Sequence, residues 1–236
     1  MQPPFPTPSP KALLSLFQAL TSVVALYLGW RAFSIDTNEP QLEISSPKVL
    51  RVEFSNKYKY IYAQPIFIVM NPTKKVAVVK DLCLRIQPAN APKLTPKSFS
   101  EACRDKGADG SMLLRWDHIA KFDWDTQRDM GVYEEMVSDA LPMPVSIGNP
   151  QAPMAGFAGT AAQQGFLVPN RCYRATIYSL SAPRDQLLSN SFHFMISPQQ
   201  LKALRAYSQQ APFHPHHITL TAFPEGGCPG GLSLSS

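Results

Sequence analysis

The chain has 236 residues, 44% of them hydrophobic and 17% charged, with 22 Lys and Arg against 17 Asp and Glu for a net charge of +5. That length suffices for one domain with a sizeable core, and the apolar fraction excludes a disordered protein. No Gly-x-Ser-x-Gly elbow, Walker loop, dinucleotide fingerprint or Cys-x-x-Cys pair occurs, so the chain reads as non-enzymatic and without a cofactor.

Residues 1–10, MQPPFPTPSP, are expected to be a Pro-rich disordered tail. Ser9 followed by Pro10 is a helix start, with a capping hydroxyl and a proline in the first turn. From Ala12 to Trp30 nineteen residues carry no charge. At about 1.5 Å per residue they reach about 28 Å, close to the ~30 Å hydrocarbon thickness of a bilayer. Lys11 and Arg31 flank the run as snorkelling cations, and Tyr27 and Trp30 lie where aromatic rings meet headgroups. Residues 11–33 are therefore expected to be a transmembrane anchor helix. Gly29-Trp30-Arg31 places bulk where a signal peptidase requires small residues, so the helix should stay attached. Thr21, Ala25 and Gly29 recur every four residues, a candidate packing seam for homo-association.

A polar linker is expected over 34–41, then a β-sandwich domain over 42–222 and a flexible Gly/Ser-rich tail over 223–236. Leu42-Glu43-Ile44 and Val49 to Phe54 alternate as strands do. Ile61 to Met70 is apolar on both parities, an interior strand with a bulge at Pro65. Asn71 to Lys75 is a turn, and Val76 to Ile86 pairs back. Met112 to Trp116, Pro144 to Ile147, Tyr173 to Leu180, Phe192 to Ile196 and Ile218 to Ala222 complete the strands. Strands punctuated by Pro, Asn and Gly without βα alternation predict a mainly β, antiparallel, immunoglobulin-like sandwich. Short helices are expected from Thr95 to Ala102, across Met130, Tyr133, Val137 and Leu141, and after Ser197-Pro198-Gln199-Gln200. Pro150 to Gln164, rich in Ala, Gly and Pro, reads as a mobile loop.

The four cysteines share no metal spacing. Cys83 alternates with Leu82, Leu84 and Ile86 and so faces outward with Asp81 and Arg85; Cys172 shares parity with Arg174 and Thr176. Thiols placed outside a core argue for oxidised pairs and an extracytoplasmic compartment. The expected pairs are Cys83 with Cys103 and Cys172 with Cys228. Asn71-Pro72-Thr73 is blocked as a glycosylation acceptor by its proline.

Charge is uneven. Residues 40–106 hold twelve basic side chains against five acidic, whereas 117–139 hold seven acidic against two basic. The basic half suits anionic headgroups, and no nucleic-acid module surrounds Lys57-Tyr58-Lys59-Tyr60. Two metal sites come into question. Asp123, Asp125, Asp129 and Glu134 occupy positions one, three, seven and twelve of a stretch that resembles an EF-hand loop in part, with Arg128 where glycine is required. His214, His216 and His217 form a short tract that could gather with His193, expected outward on its strand, around Zn²⁺ or Cu²⁺.

The chain is thus expected to be a single-pass protein of the cell membrane whose extracytoplasmic β-sandwich is an interaction or assembly module. Its partners would be the bilayer and another membrane or envelope protein, with no nucleic acid. A metal-dependent envelope enzyme or metal-binding protein and a cytoplasm-facing adaptor are the alternatives.

Overall fold

In the computed structural model, which describes residues 10–54, 58–104, 110–122, 134–160, 166–209, 218–223 and 228, the first element is a 28-residue helix, α1 (Pro10–Thr37). Pro10 opens it at a position where a missing N–H costs little. Leu16, Phe17, Val23, Leu26 and Trp30 are all exposed on it. The helix is long and apolar enough to cross a membrane. It runs four residues past Phe33, the expected end of the anchor. Ser34 Oγ donates to Arg31 O and Thr37 Oγ1 to Phe33 O, so the polar stretch assigned to a linker begins as a last helical turn.

Twelve strands follow among the described residues. The first six are β1 (Leu42–Ser45), β2 (Val49–Phe54), β3 (Tyr58–Ala63), β4 (Ile66–Val69), β5 (Ala77–Pro88) and β6 (Met112–Phe122). The rest are β7 (Glu134–Asp139), β8 (Met143–Val145), β9 (Met154–Thr160), β10 (Cys172–Ala182), β11 (Gln186–Met195) and β12 (Ile218–Thr221). Two helices interrupt them, α2 (Phe99–Ala102) and α3 (Pro198–Gln209). Every strand pairing is antiparallel. The protein is mainly β, as its strand patterning predicts.

Most strands form one curled sheet in the order β11-β10-β5-β6-β9-β3-β2-β12, with β7 paired to β6 and β8 to β5. Its two ends meet: Phe223, just past β12, exchanges two backbone hydrogen bonds of 2.8 Å with His193 on β11. Closing the sheet on itself occupies edges that would otherwise stay open for pairing. β1 and β4 form a separate two-stranded ribbon. Its Leu42, Ile44, Phe67 and Val69 join the sheet's inward residues in one core. Asn190 of β11 ties the ribbon down, accepting from Ser46 Oγ and donating to Ile44 O.

Pro65 separates what the sequence suggests is one long strand. Proline donates nothing to a ladder, and here the chain leaves the curled sheet after Ala63 and enters the ribbon at Ile66. Two further expectations fail. Glu134–Asp139, expected to be helical, is β7, because the apolar spacing also fits a strand on the bulged end of β6. Met154–Thr160, expected within a mobile loop, is β9, with β3 on one side and β6 on the other. The helix after Ser197 has the expected start: Ser197 Oγ accepts from Gln200 N at 3.1 Å and Gln200 Oε1 accepts from Ser197 N at 2.9 Å.

The core lies inside the curl. Phe157, Phe192 and Phe194 are fully enclosed, and Leu201 and Leu204 of α3, which lies against β2, belong to the same cluster. Phe157→Ala should cost about 3–5 kcal/mol of unfolding free energy by transfer and cavity terms. Ser197→Ala should cost about 1 kcal/mol through the lost cap. Urea unfolding of the detergent-solubilised chain checks both, with midpoints shifting in that order.

Candidate functional site

The end of α1 is built into the sheet by the turn between β4 and β5. Lys74 N donates to Ile35 O at 3.3 Å, Lys75 Nζ to Thr37 O at 3.0 Å and Thr73 Oγ1 to Asn38 O at 2.6 Å. Asn71 bridges in both directions, donating from Nδ2 to Glu39 O at 2.8 Å and accepting from Gln41 N at 2.6 Å. Met70 N donates to Gln41 O, continuing the ribbon register one residue outward. Two of the carbonyls the helix leaves open at its C-terminus, those of Ile35 and Thr37, are thereby met by one Asn-Pro-Thr-Lys-Lys turn, which also bonds Asn38 O and Glu39 O just beyond. Lys74 also pairs with Asp36 at 2.6 Å, and Arg184 in the β10–β11 turn pairs with Glu39.

A second polar arrangement lies on the outer face of the sheet. Strand alternation in β6 would put His118 inward beside Leu114 and Trp116. A β-bulge at Asp117 shifts the register between Trp116 and His118 and turns the imidazole outward. There His118 sits opposite Gly156, with the Tyr60 and Tyr62 rings edge-on to it at 5.5 and 5.6 Å. Asp117 Oδ2 accepts from His118 Nδ1 at 3.0 Å, and Tyr62 OH donates to Glu53 Oε2 at 3.3 Å. Arg51, across from Tyr62, completes the row, and burial lowers the pKa of its guanidinium. Glycine is required at 156: a Cβ there would stand 2.8 Å from His118 Cε1 and 3.0 Å from Tyr62 Cε1. The Asp117–His118 pair fixes the ring's tautomer and orientation.

The cysteines occupy a third place. Cys83 is bonded to Cys103, and Cys172 to Cys228. Cys83 faces away from the main core, as its parity predicts, yet it is buried. Cys83, Ala102, Cys103, Leu113 and Tyr178 form a small cluster of their own, roofed by α2. Arg85, read as an outward residue, is buried too, and donates to Ala102 O, Arg104 O and Ser111 Oγ. Arg115 donates to Cys103 O. Two guanidinium groups thus meet the carbonyls at the end of α2, a charge-assisted fixing that sequence parity does not reveal. Beside it lies a cavity of about 230 Å³ walled by Arg85, Lys93, Glu101 and Tyr178, below the ~300 Å³ where small-molecule pockets begin. Desolvation raises the Tyr178 phenol above its usual pKa, opposed by the nearby Arg85 charge.

Of the metal candidates, Glu134 and His193 lie among the described residues. Asp123, Asp125, Asp129, His214, His216 and His217 lie outside the described residues. Glu134 begins β7 opposite Phe122. His193, expected outward, is buried, and its backbone pairs with Phe223 just past β12. Among the described residues no three His, Cys, Asp or Glu side chains gather as a metal site would need. Thr21, Ala25 and Gly29 lie on the exposed helix α1, and a Cβ on Gly29 would meet nothing within 4 Å.

No family model, curated protein or solved structure matches the chain. Its description therefore rests on its own residues. In the outer-face row, Gly156→Ala should destabilise by about 1–3 kcal/mol through overpacking against His118. Combining it with His118→Ala should cost less than the two changes summed, since the clash disappears with the ring. A urea-unfolding double-mutant cycle measures this; strict additivity would show that the two residues do not meet.

Proposed function

We propose that this is a single-pass membrane protein whose β domain is held outside the cytoplasm as an interaction or assembly module for another membrane or envelope protein. The observation that carries the reading is a 28-residue helix whose side chains from Leu14 to Phe33 are exposed, joined at its last turn to that domain. A core helix of a soluble protein would be packed, and this one is bare. Two disulfides, closing separations of 20 and 56 residues, suit an oxidising compartment. The immunoglobulin-like character of the module is part of the same proposal. Its best support is Tyr173 at the start of β10, whose hydroxyl donates to Phe166 O at 2.9 Å and accepts from Val168 N at 2.7 Å. That bond, from a tyrosine opening a strand to backbone a few residues upstream, resembles the tyrosine corner of such sandwiches, although Tyr173 here follows its cysteine and does not precede it by two residues.

One observation favours the cytoplasm-facing alternative: Arg31, Lys74 and Lys75 gather on the domain side of the helix, and positive charge beside a span tends to stay in the cytoplasm. Disulfide formation decides between the two. The full chain, expressed in membranes, should resist alkaline carbonate extraction, and non-reducing peptide mapping after blocking free thiols should return the Cys83–Cys103 and Cys172–Cys228 peptides. Carbonate release would contradict the anchor. Four alkylated thiols in a membrane-bound chain would instead favour the cytoplasmic adaptor.

A further inference from the structure

The turn that receives α1 carries more than the helix. Met70 is 59% exposed and Val76 48% exposed at its two ends, and Ile147 is 49% exposed. β5 and β8 pair with Ala77 opposite Val145, so Val76 and Ile147 leave the same pair of strands at the same end of the sheet. Between Met70 and Val76 stand Lys74 and Lys75, both exposed and both already held against the last turn of α1. Three uncovered apolar side chains and two ammonium groups thus surround the point where the helix enters.

Helix geometry says how high this end stands. Twenty steps from Lys11 to Arg31 cover about 30 Å, the whole hydrocarbon layer. The five steps from Arg31 to Asp36 add about 7 Å, the depth of one headgroup layer. Lys74 bonds to Ile35 and pairs with Asp36, so it sits at that depth and not above it. The local charge suits an anionic surface: Arg31, Lys74, Lys75 and Arg184 stand against Asp36 and Glu39.

We infer that this end of the domain is a foot resting in the headgroup layer of an anionic bilayer, with Met70, Val76 and Ile147 reaching toward the acyl boundary and Lys74 and Lys75 meeting lipid phosphates. The inference rests on the membrane-anchor reading. It adds that lipid, and no protein partner, covers this end, and that the opposite end is the one held away from the membrane. β5 runs from Ala77 at the foot to Pro88 at the far end, about 36 Å at ~3.3 Å per residue.

Site-specific photocrosslinking tests it. The full chain is prepared with p-benzoylphenylalanine in place of Val76, Ile147 or, as the distal control, exposed Asn90, and reconstituted in vesicles of phosphatidylcholine with or without phosphatidylglycerol. After flotation and irradiation, lipid-linked protein should form at 76 and 147 and not at 90. It should rise with phosphatidylglycerol, and K74Q with K75Q should remove that rise, a loss of about fivefold per lysine. A chain that floats but gives no more lipid product at 76 and 147 than at 90, or that links there to another copy of itself, overturns the foot and leaves the anchor standing. A chain that does not float overturns both.

Discussion

The structure depends on one short turn that does two jobs. Asn71 to Lys75 ends the ribbon strand β4 and starts β5, an interior strand of the curled sheet, and it also meets the Ile35 and Thr37 carbonyls of α1 and those of Asn38 and Glu39 beyond it. Each neutral hydrogen bond there contributes only about 0.5–1.5 kcal/mol, and the exposed Lys74–Asp36 pair little. Their effect is geometric. Buried Thr73 and the two-way bonding of Asn71 leave residues 38–41 no freedom to act as a flexible tether. The helix therefore does not merely attach the domain; it sets which way the domain points.

Above that junction the sheet buries its inward face throughout and its outward face in part. The inward face holds the aliphatic and phenylalanine core. The outward face is closed in patches, by α2 and its disulfide over Cys83 and Tyr178, and by the packed row of Arg51, Tyr62, Gly156 and His118. The buried Arg85 guanidinium is met by two carbonyls and a hydroxyl, and Glu53 by the Tyr62 hydroxyl, as burial of such charges requires. Closure between His193 and Phe223, with Cys172–Cys228 just beyond, fastens the two ends of the sheet to each other.

Much of this was legible in the sequence, for identifiable reasons. Nineteen residues without charge announce α1, and Ser197 with Gln200 announces α3. The parity of Leu82, Leu84 and Ile86 sets the inward face of β5. The failures also have physical causes. β9 reads as a loop because Ala and Gly have little strand propensity; its Gly156 is there to admit an imidazole from the next strand. The spacing of apolar residues from Met130 to Leu141 satisfies a helix, while pairing with β6 decides for a strand over Glu134–Asp139. His118 could not be placed by parity, since a bulge changes parity. Cys83 and Arg85 were correctly set opposite the core, but alternation alone does not say that a four-residue helix covers that face.

A helix that continues into its domain without a hinge fixes how the domain is oriented to it. In the proposed membrane setting one end of the domain faces the bilayer and the far end, some 36 Å away along β5, is left for other contacts. Hydrogen exchange of the full chain in lipid nanodiscs tests that claim most directly. The amides of Gln41, Met70 and Lys74 should be protected to a degree comparable with the central strands β5 and β10, because each is bonded within the junction. Exchange at those amides as fast as in an unstructured peptide, with β5 and β10 still protected, would show a hinged tether and contradict the account.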